Sequence, residues 1–305
     1  MYPPEIETLD DRFAKLALDN VHLEQLHTGC RWAEGPAYLP AGKYLVWSDI
    51  PNNRVLRYDE TSGAVSVFLA PADNHNGHCV DRQGRLVSCE HRTRCISRIE
   101  HDGTRRVLAD RFEGKRLNSP NDVVVKSDGS IWFSDPRFGI LGNYEGEIAE
   151  PELPMNVYRV DGASGAVTVV VDGINAPNGL CFSPDETKFY LVESRSEPRR
   201  ILAYDVAGDG SKIANGKILI DSGPQGTPDG MRCDIDGNLW CGWGMSAALD
   251  GVRMFTPQGE PIGHIALPER CANVCFGGAK RNRLFMAAAH SLYSLYVNTQ
   301  GAVGG

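Results

Sequence analysis

Between Asn121 and Pro136 the chain alternates short apolar runs with tight polar turns. Val123-Val124-Val125 is followed by Ser127-Asp128-Gly129, then Ile131-Trp132-Phe133, then Ser134-Asp135-Pro136. A glycine-containing polar turn between two β-branched or aromatic runs predicts a hairpin, because glycine takes a positive φ at no steric cost. Two antiparallel strands follow, with Asn121 at the start of the first beside Asp135 at the end of the second.

The same alternation returns five more times. Glu34-Gly35-Pro36 leads to Tyr44–Asp49, Asn76-Gly77-His78 to Leu86–Glu90, Asn178-Gly179-Leu180 to a second strand ending at Glu193, Asp229-Gly230-Met231 to Leu239–Trp243, and Ala272-Asn273-Val274 to the last unit. A period of roughly 45 residues, built from short strands, is that of propeller blades. The outer hairpins repeat too: RYDETSGAVSVFLA in the first unit is nearly matched by YRVDGASGAVTVVV in the third. The prediction is an all-β, six-bladed propeller with about four strands per blade.

The last unit offers only three strands. The N-terminal segment Val21–Thr28 is expected to supply the fourth and close the ring, removing an exposed sheet edge. This divides the chain into an extension, residues 1–20, and a propeller, residues 21–305. Between the hairpins of the third unit lies an insertion, Arg137 to Met155, rich in Gly, Glu and Pro; it reads as a lid over a site or as a solvated surface loop.

Composition narrows the partners. With 42% hydrophobic and 23% charged residues the chain has ordinary material for a folded core. A net charge of −8 without a basic run disfavours nucleic acid and anionic membranes, so a small molecule is the expected partner and no protein partner is implied. The first residues lack a basic segment ahead of an apolar one, and no apolar run reaches the ~18 residues of a span, so a cytoplasmic protein is expected. The nine cysteines fall mostly within strands and read as reduced apolar fillers.

In a propeller the first strand of each blade lines the central channel, so a recurring position becomes a ring of side chains. Here the ring is Glu34, Asn76, Asn121, Asn178, Asp229 and Ala272. An Asn or Asp before Gly also commonly makes a turn, which competes at any single position. Five polar residues in phase point instead to a site, because carboxylates and amides buried in a channel need partners. Oxygen donors of this mixed kind suit one divalent cation, Ca²⁺ first, with Zn²⁺, Mn²⁺ or Mg²⁺ as alternatives. The second-strand ends Asp49, Glu90, His91, Asp135, Glu193 and Trp243 are expected around the same mouth. His75 and His78 flank Asn76, and with His91 they are expected there as substrate contacts, proton shuttles or, less simply, zinc ligands.

These motifs, WAEGPAY at Glu34, SPNDVVVKSDGSIWFSDPRFGI at Asn121, APNGLCFSPDE at Asn178 and TPDGMRCDIDGNLW at Asp229, make the chain resemble the gluconolactonase, senescence-marker and regucalcin-like family over nearly all of its length after Val21. That family is related to the paraoxonase and diisopropylfluorophosphatase propellers. The resemblance, strongest to bacterial gluconolactonases, implies lactone hydrolysis at one divalent metal, usually calcium. It implies Glu34, Asn178 and Asp229 as metal ligands, and Asn121 as a ligand or a grip on substrate. Asp229 is the expected general base; Asn121, His75, Asn76, His78 and His91 are the expected substrate contacts. One departure stands out: senescence-marker proteins place an Arg two residues before the Asn equivalent to Asn121, where this chain has Ser119. His75, His78, Arg116 and Asn118 are the nearby candidates to replace it. Two other functions fit the same ring, a phosphotriesterase-like or arylesterase-like hydrolase and a calcium-binding propeller without catalysis.

Overall fold

The structure, a computed structural model, describes residues 5–303. Six antiparallel blade sheets stand around one axis, beside a small two-stranded hairpin of Arg111–Phe112 and Lys115–Arg116. In each blade the strands follow chain order from the channel outward, except that an N-terminal strand is added outermost to the fifth and to the sixth. The innermost strands are Ala33–Leu39, His75–Val80, Val123–Val125, Pro177–Phe182, Met231–Cys233 and Cys271–Gly277. This is the six-bladed, nearly all-β propeller expected, with one short α-helix and one 3₁₀ turn among the described residues.

Ring closure is the work of Glu24–Thr28. It pairs antiparallel with Ser291–Tyr296 as the outermost strand of the sixth blade, joining the two ends of the chain in one sheet. Arg283 reinforces the seam by reaching Glu24 at 2.7 Å. The segment before it joins the fifth blade. Ile6–Thr8 pairs with the strand Pro261–Ala266, and the helix Asp11–Ala14, capped by the Asp10 side chain, buries Phe13 against Trp240. Phe13 is only 1% exposed, and Gly263 leaves the room its ring occupies.

Adjacent blades are held together by large side chains. Trp132 meets Phe182 and Phe189 between the third and fourth blades, and Trp240 meets Phe276 between the fifth and sixth. All nine cysteines are unpaired and buried, several of them between blades, which accords with their reading as core thiols. Among the described residues no helix is long and apolar enough to cross a membrane.

Glycines after the ring residues have a function other than turning the chain. A Cβ on Gly35 would lie 2.0 Å from the Asn76 carbonyl oxygen, and one on Gly179 would lie 2.2 Å from that of Asp229. Inner strands of neighbouring blades approach so closely that only glycine fits, and Gly77 N–H donates to the Asn121 carbonyl at 2.8 Å across the gap. The Asn-Gly and Asp-Gly pairs are therefore contacts between blades rather than turns.

Candidate active site at the upper mouth of the channel

The inner strands all begin at one mouth of the channel, and there a cavity of about 460 Å³ opens. Glu34, Asn76, Asn121, Asn178 and Asp229 line it together, five of the six ring positions from five different blades. Ala272 adds no polar atom, but its neighbour Asn273 donates to the Glu34 carboxylate at 3.3 Å.

Glu34 and Asp229 set the electrostatics. Burial raises the Glu34 carboxyl well above the ordinary carboxylate range, and the nearby Asp229 charge raises it further. One Glu34 oxygen accepts the Gly35 N–H at 2.8 Å. Burial raises Asp229 as well, opposed by Arg270, whose guanidinium bonds directly to it, and by a hydrogen bond from Asn178. Arg270 itself lies over the Trp32 ring, 5.4 Å from its centre. The floor thus holds two buried carboxyls, of which Asp229 alone is paired with a guanidinium.

Among the described residues no three His, Cys, Asp or Glu side chains converge as a metal-binding group. The oxygen donors present at this mouth are two carboxylates and the side-chain amides of Asn residues, and among the described residues the three histidines do not come together as a zinc site. His75 and His78 turn away from the upper cavity and into the sheets. His75 Nε2 contacts the Glu90 carboxylate at 3.2 Å, while His78 is clamped between the hydroxyls of Ser48 and Ser88 at 2.9 and 2.8 Å. Burial and the neighbouring His75 push the His78 pKa well below its usual value, and the two hydroxyls hold the ring in place as a strut. His91 does not line the cavity either. It contacts the Asn76 amide at 3.2 Å and the Glu145 carbonyl at 2.9 Å, and burial lowers its pKa to about 4. An acceptor Nε2 and a donor Nδ1 satisfy both bonds and fix the orientation of Asn76. None of the three histidines contacts the cavity space as substrate ligands would.

The second-strand ends are likewise spent within their blades. Asp49 accepts the Arg31 N–H at 2.8 Å, Asp135 those of Asn118 and Ser119 at 2.8 and 2.9 Å, and Glu193 that of Asn175 at 2.9 Å. Each carboxylate staples the segment that leads into its own inner strand. Burial nevertheless pushes Asp135 up to about 7. Glu90 breaks the pattern: burial works to raise it, but the bonds from His75 and Arg105 prevail and hold it below the ordinary range. Of the candidates to replace the missing Arg, Asn118 is fully buried and bonded to the Asp135 and Pro154 carbonyls, and Arg116 reaches the Thr93 carbonyl at 2.9 Å. Ser119 accepts the Gly139 N–H at 3.0 Å, anchoring the start of the insertion.

The insertion supplies cavity walls that the repeat pattern left unread. Phe138, Leu141, Tyr144 and Glu145 all line it, and the Tyr144 hydroxyl bonds the Arg31 carbonyl at 3.2 Å, reaching from the third blade to the first. Glu145 is pushed up to about 7 by burial and by the charge of Asp229. Arg195 and Arg199, from the loop after Glu193, complete the wall with Arg270. Their signal in the sequence was positional: loops that follow second strands or precede inner ones meet at this mouth. Replacing residues 142–146 with a short turn is expected to raise KM for lactones at least about 10-fold, to shift lactone preference and, because Glu145 goes with the loop, to lower kcat as well. The melting temperature should change little, since Asn143 and Tyr144 at the tip of that stretch are mostly exposed. Steady-state kinetics on several lactones beside a thermal melt checks this, and unchanged kinetics would make the insertion a passive loop.

The chain is similar to known proteins over most of its length. Residues 32–290 match the family described as SMP-30/Gluconolactonase/LRE-like region. The chain is 31% identical over 301 residues to a gluconolactonase of Zymomonas mobilis, covering 92% of this chain and 82% of that protein. It is 31% identical over 286 residues to the pentonolactonase XacC of Haloferax volcanii, covering 91% and 84%. The solved gluconolactonase structure from Xanthomonas campestris superimposes with a TM-score of 0.88 at 36% identity, over 97% of this chain and 96% of that one. A propeller whose inner strands bring this set of carboxylates and amides to one mouth, matched over almost its whole length, belongs to the SMP-30/gluconolactonase family.

Proposed function

We propose that the upper cavity hydrolyses a sugar lactone of the gluconolactone class with a divalent cation, Ca²⁺ by donor chemistry, held by Glu34, Asn178 and Asp229. Asn121 is a further ligand or a grip on the substrate. The observation that carries this reading is the pair of buried carboxylates on the cavity floor, each raised by burial and by the field of other carboxylates. A hard cation relieves that repulsion, and the surrounding Asn side chains offer neutral oxygens that complete an oxygen-only set. When bound, the cation would polarise the lactone carbonyl and offset the charge that develops on its oxygen.

The remaining chemistry falls to the chain's own side chains. Asp229, a carboxylate with a raised pKa, takes the proton of the water that adds to the carbonyl carbon. The ring C–O bond then breaks, and the departing ring oxygen needs a proton. Glu145, near 7 and therefore partly protonated at neutral pH, lines the same cavity and supplies it. The product is an open hydroxy acid. Arg195, Arg199 and the oriented Asn76 amide offer donors to the sugar hydroxyls, while Trp32 and Phe138 offer flat apolar faces to its C–H side.

The relatives named for gluconolactone and pentonolactone support lactones with six- and five-carbon skeletons as first substrates. A second reading, an aryl ester or phosphotriester on the same floor, is favoured by the apolar rim of Leu141, Tyr144 and Met245, which are 67%, 56% and 59% exposed. Acid release from a panel of aldonolactones, aryl esters and phosphotriesters, with chelator and with Ca²⁺, Mn²⁺, Mg²⁺ or Zn²⁺ restored, decides between them. Lactone turnover lost on chelation and restored by Ca²⁺ is the expected result. Turnover indifferent to chelation would overturn the metal, and turnover of the esters alone would overturn the lactone.

A further inference from the structure

The inner strands end at the opposite mouth, where a second cavity of about 240 Å³ opens that shares no residue with the first. Its walls are the final residues of the inner strands and the C-terminal tail, whose Ala302 N–H donates to the Cys233 carbonyl at 2.9 Å. The charge here is of the other sign. Arg82, Arg232 and Arg281 line this chamber, in a protein whose net charge is −8.

The carboxylates near these guanidiniums are largely committed elsewhere. Asp81, the one acidic side chain in the wall, is bonded to Arg85 at 2.8 Å and to the N–H groups of Gln83 and Arg85. Arg82 is paired with Glu186 at 3.0 Å. Arg281 has no hydrogen-bond or ion-pair partner for its side chain among the described residues. Arg232 is only 2% exposed, yet it has one bond to its own Met231 carbonyl at 2.7 Å and a long contact of 3.4 Å with Asp122. A guanidinium is a fork of donors suited to bidentate oxygen pairs, and burying one with so distant a counter-charge is costly. Pro36, Ala37 and Phe276 add apolar wall beside the charges.

From this we infer that the lower mouth is a second binding site, for a small organic anion whose carboxylate or phosphate head sits between Arg232 and Arg281 and whose carbon body lies on the apolar wall. The site is independent of the lactone reading of the upper cavity. Gluconate and inorganic phosphate are suitable probes for the two head groups, titrated calorimetrically at low ionic strength, where screening is least.

At least one probe should bind the wild-type protein with Kd of about 1 mM or tighter. Arg281→Ala should remove that site or weaken it at least about 10-fold, Arg281→Lys should weaken it less, and Arg199→Ala, at the upper mouth, should leave it intact. Binding of phosphate alone assigns a phosphate head, and binding of gluconate alone assigns a carboxylate. Should Arg281→Ala melt early, Arg82→Ala serves in its place, with a smaller loss expected because that side chain is already paired. The inference falls if neither probe binds at about 10 mM, or if binding survives Arg281→Ala and is lost in Arg199→Ala, which would place the anion in the upper cavity.

Discussion

Asp229→Asn at saturating metal is expected to lose roughly 10² to 10⁴ of kcat, the usual worth of a general base, whereas Glu34→Gln is expected to recover much of its rate under the same conditions. Both substitutions remove one negative charge from the floor, so both should weaken cation binding and leave oxygen donors in place. The two carboxylates differ in their surroundings. Glu34 is tethered by the Gly35 N–H and the Asn273 amide, and its contribution to the site is mainly its charge. Asp229 is oriented by Arg270 and Asn178, and burial raises its proton affinity above that of an ordinary carboxylate. Measuring kcat against metal concentration for both variants separates these effects. Equal recovery at high metal would reduce Asp229 to a ligand and move the base to Glu145, the other raised carboxyl on the cavity wall.

A chain beginning at residue 29 is expected to be insoluble or to unfold far below the intact protein. Its sixth blade would lose Glu24–Thr28 and expose the strand Ser291–Tyr296 as an open edge, a template for pairing with other chains. The fifth blade would lose its outermost strand and the Phe13 ring between Trp240 and Gly263. Phe13→Ala separates the second loss from the first: it should cost about 3–5 kcal/mol while the ring stays closed and the protein stays monodisperse. Even a deletion that stops near residue 15 removes the strand Ile6–Thr8 and Phe13, both of which pack on the fifth blade. Denaturation midpoints and light scattering of the three proteins test this, and a soluble, fully active 29–305 chain would refute the closure argument.

The order of strands, the number of blades and the closing role of the N-terminal segment were all legible in the chain. They depend on a local rule, alternation within short strands and glycine at the turns, which repeats at nearly constant phase. Phase also explains why Glu34, Asn76, Asn121, Asn178 and Asp229 were legible as a set: equal positions in equivalent blades must face one axis. What lies beside the ring followed another logic. His75 and His78 neighbour Asn76 in sequence, but the bulge in their strand turns them into the sheet, and there Glu90, Ser48 and Ser88 hold them. Asp49, Asp135 and Glu193 sit at the right end of their strands, yet backbone N–H groups within the same blade claim their oxygens first.

By itself, then, the sequence determined the propeller, its closure and the polar ring, because each follows from the order of residues within one repeat. Only the tertiary structure decided the rest of the site. Glu145 arrives on an insertion that crosses from the third blade to the first, Arg270 on the loop entering the sixth blade, and Arg195 and Arg199 on the loop after the second strand of the fourth. No repeat relates these loops. They meet because ring closure brings blades distant in sequence to one mouth, and burial among the carboxylates gathered there moves the proton affinities of Glu34, Asp229 and Glu145.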